Sequence, residues 1–250
     1  MLQRAVAFVF HVVCFVLDAY YYKKTLDLFD GFRAKGWTQV HAGEFAFLTT
    51  LTHLFQTVFF ALSILSDLHS WLSPHPPPPP QQRATLLSSV VDALFGVVFT
   101  YACIVGLFFW GIFLYDRELI FGAHLDGIYP PDLNLFQHGV TSLLMIAEAL
   151  LVMHPNFVQK AELGRDLLLV TLAGFAYVFW TLFWVLVRGS SWPYPFQADM
   201  DVAGHVVFNA VAYGFVLCKF FFGRWLCGWR WKSSWEQQEQ QEQRRAKKNE

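Results

Sequence analysis

LLSSVVDALFGVVFTYACIVGLFFWGIFL, residues 86–114, runs 29 residues with one charge, Asp92. A helix needs about 20 apolar residues, at roughly 1.5 Å each, to cross the hydrocarbon core of a bilayer. This stretch exceeds that length and has room to tilt. Five further segments meet or approach it: 5–21, 45–66, 133–153, 167–187 and 202–222. Only helices and closed barrels satisfy their backbone in lipid, and none of these runs alternates polar with apolar residues as a barrel strand does. The expected fold is an all-α polytopic membrane helix bundle with about six transmembrane helices.

Composition agrees. Of the 250 residues, 55% are hydrophobic and only 15% charged, with 27 Phe and 10 Trp. A soluble domain keeps about a quarter of its residues charged. The net charge of −1 provides no basic excess for phosphates, so nucleic acid is not an expected partner. Cys14, Cys103, Cys218 and Cys227 are scattered without a CxxC spacing, so neither a zinc site nor a disulfide framework is expected. Arg4 followed by an apolar run to Leu17 has the outline of a signal peptide. The run ends in Asp18, Ala19 and three tyrosines with no A-x-A cleavage site, so we read it as a retained first helix.

Residues 1–231 read as one membrane domain interrupted by a proline-rich loop, 73–83, which includes Pro74 and Pro76 to Pro80. Such a stretch is an extended, solvated spacer, and a proline-binding domain can dock on it. The polar tail, 232–250, is Gln-rich and ends in Arg244, Arg245, Lys247 and Lys248; it reads as disordered or as a frayed helix. Six crossings place both ends on one side, and the basic tail favours the cytosol.

Polar side chains inside lipid are costly, so each one is a functional candidate. Thr49, Thr52, His53 and Gln56 stand at i, i+3, i+4 and i+7, on one face of the second helix. The fourth helix carries Asn134, His138, Thr141 and Ser142, with Glu148 deeper. Both helices enter from one side. Thr49 lies about 6 Å and His138 about 7–8 Å from their starts, so the two sit at one level. The same end receives Tyr115–Glu118, His205 and the run Trp192, Pro193, Tyr194, Pro195, Phe196. Each feature has a structural reading. A membrane Thr commonly bonds its own i−4 carbonyl. A membrane His commonly bridges helices, and Asp92 and Glu148 can do the same. The Asp116–Glu118 run reads as an interfacial charge cluster, and the Trp-Pro-Tyr-Pro-Phe run as an aromatic anchor. No GxSxG elbow, HExxH, paired-histidine box or P-loop occurs.

Taken together, several strings resemble the androgen-induced gene family of membrane proteins. They are Phe47-Leu48-Thr49 with Gln56 and Val58-Phe59-Phe60; Tyr115-Asp116-Arg117-Glu118 with Asp126, His138 and Glu148; and Trp192 with Tyr194-Pro195-Phe196. The likeness covers about residues 5–222. It implies a multi-pass hydrolase, in the endoplasmic reticulum or another endomembrane, or in the plasma membrane, that cleaves fatty acid esters of hydroxy fatty acids. The substrate would enter from the bilayer, and no cofactor is implied. It places an intramembrane threonine nucleophile on Thr49 and a histidine base on His138. The proline-rich loop and tail depart from the family pattern, and Thr50 stands beside Thr49 but about 100° round the helix. An oxyanion partner is required; Gln56, His53 or a backbone amide are the choices the sequence offers. Two other readings are a transporter or receptor whose polar faces line a path, and a scaffold acting through Pro76–Pro80.

Overall fold

The computed structural model describes residues 2–36, 43–72 and 86–249, with side chains to residue 234. The proline-rich loop expected at 73–83 lies outside the described residues. Among those described there are no strands. Six long helices form the bundle: α1 (Leu2–Ala34), α2 (Leu48–Leu72), α3 (Leu86–Tyr115), α4 (131–151), α5 (Leu163–Leu182) and α6 (Val202–Asn249). The α4 rod is built of two α-helical pieces, Pro131–Leu135 and Thr141–Leu151, joined by a π-helical turn at Phe136–Val140. A similar π turn, Phe183–Val187, ends α5.

Among the described residues, five helices are long and apolar enough to cross a membrane. They are α1, α2, α3, α5 with its flanking turns, and α6. The chain is therefore an integral membrane protein with an all-α bundle fold. The sixth expected segment, 133–153, is helical as α4 but does not reach that apolarity. Its polar residues are the reason: Gln137, His138, Thr141 and Glu148 are all buried. At roughly 1.5 Å per residue α4 still measures about 30 Å. It packs inside, against α3, α2 and α6.

Several helices outrun their apolar stretches. Lipid contact sets where hydrophobicity ends, but only Gly, Pro or a cap stops a helix. Past Tyr22, α1 continues through an Lys23–Asp27 pair at 2.6 Å and stops at Gly36, whose φ of 70° suits a residue without a Cβ. After Gly228, α6 meets no Gly or Pro, and its helix-forming Glu, Gln, Lys and Arg residues carry it through the polar tail to Asn249.

The most enclosed helix is α3, which touches α2, α4, α5 and α6. Its Phe95, Val98, Phe99 and Ala102 join Phe59, Phe60, Met145, Phe157 and Phe220 in the core. Close approach to α4 depends on Gly106. A Cβ there would stand 2.5 Å from Ser142 Oγ and 3.1 Å from the carbonyl oxygen of His138. Ser142 uses the intimacy to donate a 2.7 Å hydrogen bond to the carbonyl of Ala102. All four cysteines are free; three are buried and Cys218 is exposed on the bundle surface.

At the end of α2 opposite Thr49, a buried ladder of ionisable groups locks four helices together. His11 of α1 bonds Asp67 of α2 at 2.7 Å and Glu148 of α4 at 3.2 Å. His154, just beyond α4, bonds the same Glu148 oxygen at 3.0 Å and Asp92 of α3 at 2.9 Å. The other Asp92 oxygen accepts the N–H of Asn156 at 3.0 Å. Phe95 stacks on His154 at 3.9 Å and 7°. Asp92 and Glu148 thus serve as polar links between helices, with His11, Asp67 and His154 as their partners. Removing one member of a buried, paired set leaves a charge without a counterpart, at a cost of roughly 3–5 kcal/mol. Glu148→Ala should therefore lower the melting temperature in detergent, on the order of 10 °C, whereas an exposed change such as Val206→Ala should leave it unmoved. Equal melting curves for Glu148→Ala and the native chain would show that the ladder does not hold the helices.

Candidate active site

Thr49 is the second residue of α2, and His138 is the middle residue of the π turn in α4. The first turn of a helix begins on the short 3-10 turn Gly43–Ala46, which Trp180 and Tyr177 of α5 hold by hydrogen bonds to the carbonyls of Phe45 (2.8 Å) and Ala46 (3.1 Å). A π turn adds a residue to the helical repeat. Here it lets two successive side chains, Gln137 and His138, both face inward. Gln137 donates to Thr25 at 2.8 Å and accepts from the Tyr129 hydroxyl, tying the turn to α1.

Thr49 Oγ1 and His138 Nε2 stand 3.3 Å apart, with the residues 8% and 9% exposed. Nδ1 of His138 faces two acceptors of Asn134, the side-chain oxygen at 2.8 Å and the carbonyl at 3.0 Å. Two acceptors on that side place the ring proton on Nδ1. Nε2 is then left with its lone pair toward Thr49, so the hydroxyl donates to it. Phe109 of α3 stacks on the imidazole at 3.6 Å and 11°. The ring is fixed in both plane and tautomer. A hydroxyl, an imidazole oriented to accept its proton, and a third group orienting the imidazole form the arrangement of an activated nucleophile.

The polar face of α2 turns inward as expected, but it divides between two neighbours. Thr49 looks to α4. His53 looks to α1, where Nε2–H donates to the carbonyl of Asp18 at 3.0 Å. Gln56 donates to Asp18 Oδ1 at 3.5 Å. With their N–H groups turned to Asp18, neither residue serves as the oxyanion donor that the sequence offered. Thr50 is buried, yet it is Thr49 whose hydroxyl meets His138.

The Asp116–Glu118 run does not enter the site. Asp116 accepts from the Glu118 N–H at 3.0 Å, Glu118 accepts from the Ala123 N–H at 2.8 Å, and Arg117 pairs with Asp126 at 2.7 Å. The run shapes the turn after α3. His205 is likewise occupied, stacked on Trp192 at 4.1 Å.

The sequence reading missed Phe109, and it placed Tyr194 at this end only as part of an aromatic anchor. Phe109 is hidden within an apolar run. Tyr194 lies 146 residues from Leu48, whose backbone N–H donates to its phenolic oxygen at 3.2 Å. Its ring stacks on Phe196 (5.8 Å, 11°) and meets Phe47 edge-on (5.8 Å, 74°). Burial pushes the Tyr194 phenol above its ordinary pKa, so it stays protonated at neutral pH.

The chain has relatives among known proteins. The family model described as FAR-17a/AIG1-like protein matches residues 5–228, nearly the whole described bundle. The chain belongs to the FAR-17a/AIG1-like family. Among curated proteins similar to this chain, human androgen-dependent TFPI-regulating protein is 28% identical over 192 residues, 76% of this chain and 79% of that protein. The rat protein of the same name is 28% identical over 190 residues, covering 76% and 78%. Human androgen-induced gene 1 protein is 27% identical over 172 residues, covering 68% and 70%. No solved structure matches the chain. Membership of the FAR-17a/AIG1-like family spans both helices that carry Thr49 and His138.

Proposed function

We propose that this protein is an intramembrane hydrolase of lipid carboxylic esters, with fatty acid esters of hydroxy fatty acids as its substrates. The observation that carries the reading is the 3.3 Å contact between Thr49 Oγ1 and a His138 ring whose proton Asn134 holds on the far nitrogen. Thr49 is the nucleophile and His138 the base.

A threonine hydroxyl is a weak nucleophile at neutral pH until a base takes its proton. His138 Nε2 accepts that proton as Thr49 Oγ1 attacks the ester carbonyl, forming the Oγ1–C bond and a tetrahedral oxyanion. Collapse breaks the bond to the hydroxy fatty acid, whose oxygen takes the proton back from His138. Water then attacks the acyl-threonine, with His138 again accepting a proton, and the fatty acid leaves as Thr49 is restored. Asn134 keeps Nε2 free for both halves. Both acyl chains are lipid-soluble, so the substrate reaches the site sideways from the leaflet, and a site within the bilayer suits it.

Positioned general-base catalysis contributes roughly 10²–10⁴-fold. Purified Thr49→Ala should lose turnover of the lipid ester, and His138→Ala should fall by at least about 100-fold. Asn134→Ala should fall less, roughly 10-fold, because the base remains but its tautomer is no longer fixed. Native-rate hydrolysis by well-folded Thr49→Ala or His138→Ala protein would refute the reading.

We further place both ends of the chain in the cytosol, with α4 as the sixth crossing despite its polar load. The basic residues Arg244, Arg245, Lys247 and Lys248 support that side. Single-cysteine reporters at each terminus, in a cysteine-free background, should react with a membrane-impermeant maleimide only after the plasma membrane is permeabilised. Labelling of one terminus in intact cells and the other after permeabilisation would mean an odd number of crossings.

A further inference from the structure

A tetrahedral intermediate on Thr49 needs a hydrogen-bond donor aimed at its oxyanion, and in a low-dielectric site such a donor is worth far more than in water. The first turn of α2 lies beside Thr49, and helix N-termini leave backbone N–H groups without helical partners. Two of those amides are already engaged. Leu51 N–H bonds the carbonyl of Phe47 at 3.2 Å, and Leu48 N–H bonds the Tyr194 phenol at 3.2 Å. His53 and Gln56 are turned to Asp18.

Tyr194 brings a side-chain hydroxyl to this same turn. Its oxygen accepts from the N–H of Leu48, the residue that directly precedes Thr49. An oxygen that accepts from the positive end of a helix has its O–H bond polarised, which strengthens it as a donor. The neighbouring Tyr177 hydroxyl gives its proton to the carbonyl of Ala46 at 3.1 Å, so it does not compete as a donor. The Tyr194 ring is held in place. Pro193 and Pro195 fix the backbone on either side, Phe196 stacks on one face, and Phe47 meets it edge-on. A donor fixed before reaction needs no reorganisation when charge develops.

Building on the Thr49–His138 reading, we propose that Tyr194 is the oxyanion donor of this site: its O–H hydrogen-bonds to the ester carbonyl oxygen as Thr49 attacks. As the Oγ1–C bond forms and the Thr49 proton passes to His138, the carbonyl π pair moves onto that oxygen. Tyr194 shares its proton with the oxygen without giving it up. When the carbonyl re-forms and the ester C–O bond breaks, the hydrogen bond relaxes. The same donor serves deacylation. The Trp-Pro-Tyr-Pro-Phe run is thus both a membrane-interface anchor and a catalytic element, joining the α5–α6 connection to the chemistry on α2.

The test uses the full-length protein in proteoliposomes with a fatty acid ester of a hydroxy fatty acid. Removing one oxyanion donor costs roughly 10²–10³-fold in kcat. Tyr194→Phe should show that fall with KM nearly unchanged, because the bond is made in the transition state rather than the ground state. A trifluoromethyl ketone analogue, which forms an oxyanion adduct with the nucleophile, should lose affinity for Tyr194→Phe by a comparable factor. Binding of the product fatty acid should stay the same, a distinction that a general packing defect would not produce. Should Tyr194→Phe fold poorly, 3-fluorotyrosine at position 194 keeps the shape and acidifies the phenol. The alkaline loss of kcat should then move to lower pH. Native kcat in Tyr194→Phe, unchanged ketone affinity, or an alkaline limb that does not move would overturn the assignment of Tyr194. Full turnover by Thr49→Ala would instead overturn the underlying hydrolase reading, and the Tyr194 assignment with it.

Discussion

Lipid offers no hydrogen-bond partner, so hydroxyls such as those of Thr100 and Thr141 turn back to a carbonyl of their own helix, and the larger polar groups reach to a neighbouring one. That constraint organises the bundle. It places α4 inside, where Gln137, His138, Thr141 and Glu148 are buried together. It builds the Asp67–His11–Glu148–His154–Asp92 ladder, which joins α1, α2, α3 and α4 through side chains that no single helix could satisfy. It also sets the Thr49 hydroxyl against His138, where a helix exposed to acyl chains would leave both unpaired. The ladder and the Thr–His contact occupy opposite ends of α2, so one holds the bundle while the other is left available for chemistry.

The local backbone follows from the same demand. A regular α-helix through residues 136–140 would turn one of two adjacent polar side chains toward lipid or a neighbour's core. The π turn keeps both Gln137 and His138 inside, one fastened to Thr25 and one facing Thr49. Gly106 lets α4 come close enough to α3 for Phe109 to stack on the imidazole. In this way a backbone irregularity and a missing Cβ on separate helices fix the position of one ring.

Much of this was legible in the chain. Apolar run length gives the spanning helices, because burial in lipid demands it. Spacing of 3 and 4 residues gives the inward face of α2, and rise per residue puts Thr49 and His138 at one depth. The i, i+4 relation of Asn134 to His138 is also visible, although its consequence for the tautomer appears only with distances. Other features rest on contacts between distant segments and leave no periodic mark. The phenol of Tyr194 reaches Leu48 across 146 positions. The division of α2's polar face arises from packing: α1 lies against the deeper turns and takes His53 and Gln56, while α4 meets the first turn. Helix ends beyond the bilayer were misplaced because hydrophobicity marks the lipid boundary and not the helix terminus.

The central claim is that the Thr49 hydroxyl is a nucleophile made reactive by His138. A fluorophosphonate probe reacts with such a hydroxyl and leaves a stable phosphonyl adduct. Mass spectrometry of the labelled, full-length protein should find that adduct on Thr49, with labelling lost in Thr49→Ala and strongly slowed in His138→Ala. An adduct on Thr50 or another residue, or labelling that His138→Ala leaves at the native rate, would contradict the account.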